Sequence, residues 1–243
     1  MIKNDEILDD LQLQGLHIIQ KKSGFKFGID AVLLSDFAKD APSKATLDLC
    51  TGTGIIPVLL SGKTKTPRIC GLEIQEEIAD MAKRSVEYNK IENRVEILQG
   101  DLKNAAEIYG KGTFDKITCN PPYMKNNTAV KNETDTLSIS RHEIACTLED
   151  GISVSSALLR PKGRFFMVHR PFRLAEIMNV LIKYRLEPKR MQLVHPFIDK
   201  EPNMVLIEAS KGGNSRIKVE KPLIVYKEPG VYTDDILKIY GMI

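Results

Sequence analysis

From Thr46 onward, short apolar runs alternate with stretches of helical periodicity, and no other feature constrains the fold of this chain as tightly. Runs rich in Val, Ile and Leu that lack a polar face suit strands buried on both sides. Such strands, joined by helices, build parallel sheets. Strands are expected at Thr46–Leu49, Arg68–Leu72, Val95–Gln99, Phe114–Cys119, Gly163–Val168, Lys189–Val194 and Met204–Ala209. Helices are expected near Ile55–Leu60, Glu76–Asn89, Leu148–Leu159 and Phe172–Tyr184. In the second of these, Ile78, Met81, Ala82, Ser85 and Val86 recur at helical spacing and form one apolar face. The expected fold is α/β: a mostly parallel, seven-stranded sheet with helices on both faces. Residues 1–45 read as an N-terminal extension packed on this core, with a hairpin (Leu16–Gln20, then Phe25–Phe27) leading into a helix at Ile29–Ala38.

Composition excludes several classes. No apolar run approaches the roughly 20 residues that span a bilayer, and the polar start Met1–Glu6 does not read as a signal peptide. Cys50, Cys70, Cys119 and Cys146 are widely spaced with no CxxC pair, which points to free thiols in a reducing cytosol and gives no metal-ligand pattern. The net charge is +3, but residues 155–243 carry 16 Lys+Arg against 9 Asp+Glu, leaving −4 for residues 1–154. A basic second half is compatible with a phosphate backbone as partner.

Two motifs carry chemistry. Asp48-Leu49-Cys50-Thr51-Gly52-Thr53-Gly54 follows the first strand and opens a helix, where free N–H groups and close backbone approach suit an anionic or ribosyl ligand. Glu73, at the end of the second strand, is placed to accept hydrogen bonds from ribose hydroxyls. A dinucleotide fingerprint would need a third glycine where Pro57 stands, and Asp48 would repel a pyrophosphate while welcoming an α-amino group. Asp101, after the third strand, can accept from an adenine amine. Together these residues fit an adenosine bearing an amino-acid tail. The second motif, Asn120-Pro121-Pro122-Tyr123, ends the fourth strand. An amide oxygen, carbonyls held by proline and an aromatic ring suit a planar substrate carrying an NH2 group. The polar stretch 124–140 that follows has no periodicity and is expected to be a substrate-facing lid.

With these residues the chain resembles the class I S-adenosylmethionine-dependent methyltransferases, Rossmann-like enzymes in which Asn-Pro-Pro-Tyr marks methylation of planar amines: adenine N6, guanine N2 in ribosomal RNA, or a glutamine amide in release factors. Over nearly its full length it is similar to the bacterial tRNA1(Val) adenine-37 N6-methyltransferase family. The supporting segments are Phe25-Lys26-Phe27-Gly28-Ile29-Asp30-Ala31-Val32-Leu33-Leu34-Ser35, Arg141-His142-Glu143 and Pro222-Leu223-Ile224-Val225-Tyr226. The resemblance implies a methyltransferase domain over residues 46–243, with S-adenosylmethionine held by Asp48, Gly52, Gly54, Glu73, Asp101 and Asn120. It implies catalysis by Asn120, Pro121 and Tyr123, and tRNA contacts from Pro122, Tyr123 and Arg141; Arg170, following the fifth strand at the edge where open α/β sheets hold ligands, is expected to touch RNA phosphate. It further implies a cytoplasmic monomer or weak homodimer acting on tRNA without metal or membrane. Two alternatives stay open: another planar amine as acceptor, or a non-catalytic RNA-binding or sensor protein that keeps the fold.

Overall fold

The computed structural model describes residues 2–23, 27–121 and 147–243. Strands β1 (Glu6–Asp10) and β2 (His17–Lys21) form an antiparallel hairpin, followed by helix α1 (Ile29–Lys39). The core then runs β3 (Ala45–Leu49), α2 (Ile55–Lys63), β4 (Arg68–Glu73), α3 (Glu76–Tyr88), β5 (Val95–Gln99), α4 (Ala105–Tyr109) and β6 (Phe114–Cys119). After the undescribed stretch come α5 (Leu148–Leu158), β7 (Leu159–His169), α6 (Leu174–Lys183), β8 (Leu186–His195) and β9 (Met204–Lys211). Short pieces close the chain: β10 (Lys218–Val219), β11 (Leu223–Ile224), the hairpin β12 (Tyr226–Glu228) and β13 (Val231–Tyr232), and α7 (Asp234–Tyr240).

The seven expected strands all lie in one sheet, ordered β10-β8-β9-β7-β6-β3-β4-β5, with β11 adding to β8 as a ninth strand. Only β9 runs antiparallel to its neighbours. Every residue of β3 is buried, as expected for a strand covered on both faces. One apolar layer joins α1, α2 and α3 to one face of the sheet, and a second joins α4, α5 and α6 to the other. The chain leaves β3 for β4 and β5 on one side, then returns to place β6 on the other. This reversal opens a crevice at the carboxyl ends of β3 and β6, where open α/β sheets hold ligands.

Local chemistry explains the element boundaries. Helix α2 tolerates Pro57 because its third residue needs no intrahelical N–H partner. Helix α5 starts at a capping box: Asp150 N donates to Thr147 Oγ1 (3.1 Å), and Thr147 N donates to the Asp150 carboxylate (3.0 Å). Helix α3 buries Met81, Ala82, Ser85 and Val86 as its periodicity requires, with Ala79 rather than Ile78 completing the buried face. The N-terminal hairpin differs from expectation. Leu16–Gln20 overlaps β2, but its partner is the preceding segment Glu6–Asp10 rather than Phe25–Phe27. Of the latter, Phe25 and Lys26 lie outside the described residues, and Phe27 is not in a strand. The acidic β1 pairs because Glu6, buried to 3% exposure, receives both Nη atoms of Arg84 on α3 at 2.7 Å. Cys50, Cys70 and Cys119 are free thiols; Cys146 lies outside the described residues.

Candidate active site

The glycine loop turns sharply at the end of β3. Cys50, Gly52 and Gly54 all adopt positive φ (57°, 57° and 84°), so the backbone doubles back before α2 begins. The loop is pinned from below. Thr51 N donates to Leu72 O (3.1 Å), and Gly54 N donates to Thr51 O (3.0 Å). A Cβ on Gly54 would stand 3.1 Å from the Ala82 Cβ of α3, so both conformation and space require glycine there. By contrast, nothing lies within 4 Å of where a Cβ on Gly52 would sit, so the backbone at Gly52 faces open space.

Glu73, 5% exposed, joins the loop to the end of β4. One carboxylate oxygen accepts from Gly52 N (2.9 Å) and the other from Gln75 N (3.0 Å). Its neighbour strand β5 ends at Gln99, and Gly100 N donates to Glu73 O (2.8 Å), which brings Asp101 to the same edge. Asp101 is half-buried and caps the turn at Leu102–Asn104 by accepting from Lys103 N (2.9 Å). Loop glycine, ribose-type acid and third acid therefore line adjacent strand ends β3, β4 and β5.

Asp48 sits differently from a surface acid awaiting an ammonium group. It is completely buried, with Oδ2 accepting from Thr51 Oγ1 and Oδ1 accepting from Thr118 Oγ1, both at 2.6 Å. Burial raises its pKa to about 7, against the lowering effect of the two hydroxyls, and the Glu73 charge raises it further. Asp48 is thus the strut that ties the loop (Thr51) to the acceptor strand (Thr118). Neither threonine is singled out by the sequence motif, since Thr118 lies 70 residues away. Gly71 was also unmarked: a Cβ there would fall 2.9 Å from Thr51 Oγ1 and 2.7 Å from Ile97 Cδ1, so only glycine lets the loop settle on β4.

Asn120 and Pro121 leave β6 beside this loop, since β3 and β6 pair through Leu49 and Cys119. Asn120 is half-buried and Pro121 buried. Pro121 is seated on the α5 side, lining a 10 Å³ void with Leu148, Ile152, Phe165 and Met167. Pro122, Tyr123, the 124–140 segment and Arg141 lie outside the described residues. Arg170 follows β7, the next strand over; its Nη1 donates to Asn203 O (2.9 Å) and its N donates to His169 Nδ1 (2.7 Å). The buried His169 has its pKa depressed to about 4 by desolvation and by the Arg173 charge, and stays neutral at pH 7. The structure thus gathers Asp48, Gly52, Gly54, Glu73, Asp101, Asn120, Pro121 and Arg170 along one edge of the sheet.

A cavity of about 520 Å³ opens at the opposite, amino-terminal edge, between Asp40, Arg160, Arg164, Arg190 and Glu208. Its charges are largely spoken for: Glu208 pairs with Arg164 (2.7 Å) and Arg190 (2.8 Å), and Arg160 with Asp115 (3.2 Å). The carboxyl edge, with its open glycine backbone and acidic acceptors, is the candidate site, chosen on its chemistry although the other cavity is larger. Among the described residues no group of His, Cys, Asp and Glu could hold a metal ion, and no helix is long and apolar enough to cross a membrane.

The methyltransferase small domain model matches residues 27–185. A Porphyromonas gingivalis protein named tRNA1(Val) (adenine(37)-N6)-methyltransferase is 28% identical, over 95% of this chain and 93% of its own. A protein of the same name from Aeromonas salmonicida is 24% identical over 92% of each chain. Among solved structures, a predicted O-methyltransferase from Agrobacterium tumefaciens superposes with a TM-score of 0.71 at 23% identity, covering 87% of this chain and 95% of its own. Geranyl diphosphate C-methyltransferase from Streptomyces coelicolor, solved with S-adenosyl-L-homocysteine, gives a TM-score of 0.55 at 16% identity, covering 74% and 76%.

Proposed function

Because the chain belongs to the methyltransferase small domain family, we propose that it methylates the exocyclic N6 amine of an adenine in tRNA, at position 37 of a valine tRNA as its relatives' names indicate. The observation that carries this reading is the juxtaposition of two half-sites at the switch point. The Gly52–Glu73 cradle and the Asn120–Pro121 acceptors occupy neighbouring strand ends, tied by Asp48 through Thr51 and Thr118.

The cradle fits S-adenosylmethionine. Gly52 gives backbone access, Gly54 lets the loop settle against α3, Glu73 offers carboxylate oxygens to the ribose, and Asp101 offers an acceptor to the adenine amine. When bound, the cofactor supplies a methyl group made electrophilic by its sulfonium. The remaining work falls to the chain. An adenine amine is a poor nucleophile because its lone pair is delocalised into the ring. The Asn120 side-chain oxygen and the Pro121 carbonyl each accept one amine hydrogen, which turns the lone pair toward the methyl and stabilises positive charge growing on nitrogen. Such positioning is worth roughly 7–11 kcal/mol of the barrier. Neither acceptor needs to be a strong base, because the methylated cation is acidic enough to lose its proton to water. By its residue type and place in the motif, Tyr123 is assigned to stack on the base, with Pro122 beside it and Arg141 and Arg170 on the RNA backbone. The target base must leave its stack, which costs less in an unpaired loop than in a duplex. A tRNA substrate places the enzyme in the cytoplasm, and we assign it as a monomer or weak homodimer.

Nucleoside mass spectrometry of tRNA from cells with and without the gene tests this reading. The expected result is N6-methyladenosine that disappears with the gene. Equal amounts in both samples, or loss of N2-methylguanosine instead, would overturn it.

A further inference from the structure

Two of the most exposed large apolar side chains among the described residues are Phe172 (63% exposed) and Ile198 (82%). Both stand on the carboxyl edge that carries Asn120. Phe172 lies in the turn Pro171–Arg173 after β7, and Ile198 lies in the loop between β8 and β9. From the acceptor strand β6 the sheet continues β7, β9, β8. At about 4.8 Å per strand, β8 is roughly 14 Å from β6, within the width of a nucleic-acid hairpin loop.

Neither residue is exposed because its loop is slack. Between β8 and β9, Tyr226 N donates to Pro196 O (2.9 Å), Asn203 N donates to Val194 O (3.0 Å), and His195 Nδ1 meets Lys200 O (2.8 Å). The ring of Phe197 packs on Tyr226 (5.6 Å between centroids), which stacks on Tyr232 (5.2 Å) and through it on Tyr240 (5.6 Å). Arg170 then links the β7 turn to Asn203 at the start of β9. A braced scaffold thus holds two large apolar groups in water beside an acceptor site, at a cost that a covering ligand would reverse.

We propose that these two loops form a docking rim for the RNA around the target adenine, with Phe172 stacking on an unpaired neighbouring base and Ile198 packing against the next nucleotide. RNA is the occupant because a flipped adenine leaves its neighbours without a stacking partner, and an aromatic side chain replaces it. Arg170 and Arg173 lie on either side of Pro171-Phe172, with Arg173 paired to Glu176, and Lys200 stands between Asp199 and Glu201 in the other loop; both loops belong to the half of the chain that carries the excess positive charge. The proposal rests on RNA being the acceptor.

The test is fluorescence anisotropy of a labelled valine-tRNA anticodon stem-loop with full-length wild type, Phe172→Ala, Ile198→Ser and the double variant. Both side chains face solvent, so thermal midpoints and cofactor affinity are expected to stay unchanged. The dissociation constant is expected to rise about fivefold in each single variant and more than tenfold in the double, while Phe172→Trp binds as wild type and Phe172→Leu does not. A double variant within twofold of wild type would overturn the rim. So would a wild-type dimer in sedimentation that the double variant dissociates, since the face would then join two copies of the chain. Failure of the acceptor assignment reads differently: wild type would leave the stem-loop unmethylated.

Discussion

Replacing Asp48 with asparagine should change the pH dependence of stability. The carboxyl is fully buried and, among the described residues, held by two hydroxyls, and its pKa in the folded protein is about 7 against an ordinary 3.8. For an acid raised on folding, the stability advantage is complete below the unfolded value and is lost as pH climbs through the folded value. Between about pH 4 and pH 7 the unfolded chain releases its proton while the folded chain keeps it. Roughly three pKa units at 1.36 kcal/mol each make this loss about 4 kcal/mol. Asparagine carries no charge, yet its carbonyl can accept from one threonine and its NH2 can donate to the other. Asp48→Asn should therefore leave stability near pH 4 little changed and raise it by up to about 4 kcal/mol at pH 8. Urea unfolding of both proteins from pH 4.5 to 8.5 checks this, because the other titrating groups cancel in the difference. A difference that is flat across pH 5–8, or that favours wild type as pH rises, would refute the buried, desolvated carboxyl.

The remaining predictions follow from single contacts. Glu73→Ala removes the acceptor of Gly52 N and the acceptors proposed for ribose; with charge-assisted bonds worth roughly 1.5–3 kcal/mol, cofactor affinity measured by calorimetry should fall about a hundredfold or more. Asn120→Ala should abolish methyl transfer while calorimetry finds cofactor affinity within a few-fold of wild type; a lost affinity would reassign Asn120 to cofactor binding. Lys116 is buried on β6 and its Nζ has no hydrogen-bond partner. Desolvation lowers its pKa to about 8 despite Asp40 and Glu208, so its contribution is present above pH 10.5 and lost as pH falls to 8. Lys116→Met should thus stabilise the protein at pH 7 by up to about 3 kcal/mol in urea unfolding.

The core of the fold was legible because buried parallel strands are continuous apolar runs: β3, β5, β6 and β9 begin and end within two residues of their expected bounds. The parts that were not legible depend on distant partners. Glu6–Asp10 is not among the expected strands, and Arg84, which meets its buried Glu6, lies 78 residues on. Strands β10 to β13 span two or three residues each and carry no periodicity. In the site, the acid–glycine spacing picked out Gly52 and Glu73, which the structure joins by a hydrogen bond, but whether Asp48 faces the crevice or the core is decided by Thr118 on another strand. Gly71 drew no expectation for the same reason: the side chains that fill the space of its Cβ, Thr51 and Ile97, come from other segments.

Transfer from methyl-labelled S-adenosylmethionine to paired RNA substrates tests the central claim most directly. One substrate is the valine-tRNA anticodon stem-loop with adenine at the target position; the other carries purine there, which lacks only the exocyclic amine. Label in the first as N6-methyladenosine and none in the second is the predicted result. Equal labelling of both, or labelling of neither, would contradict an edge built to hold a planar amine against Asn120 and Pro121.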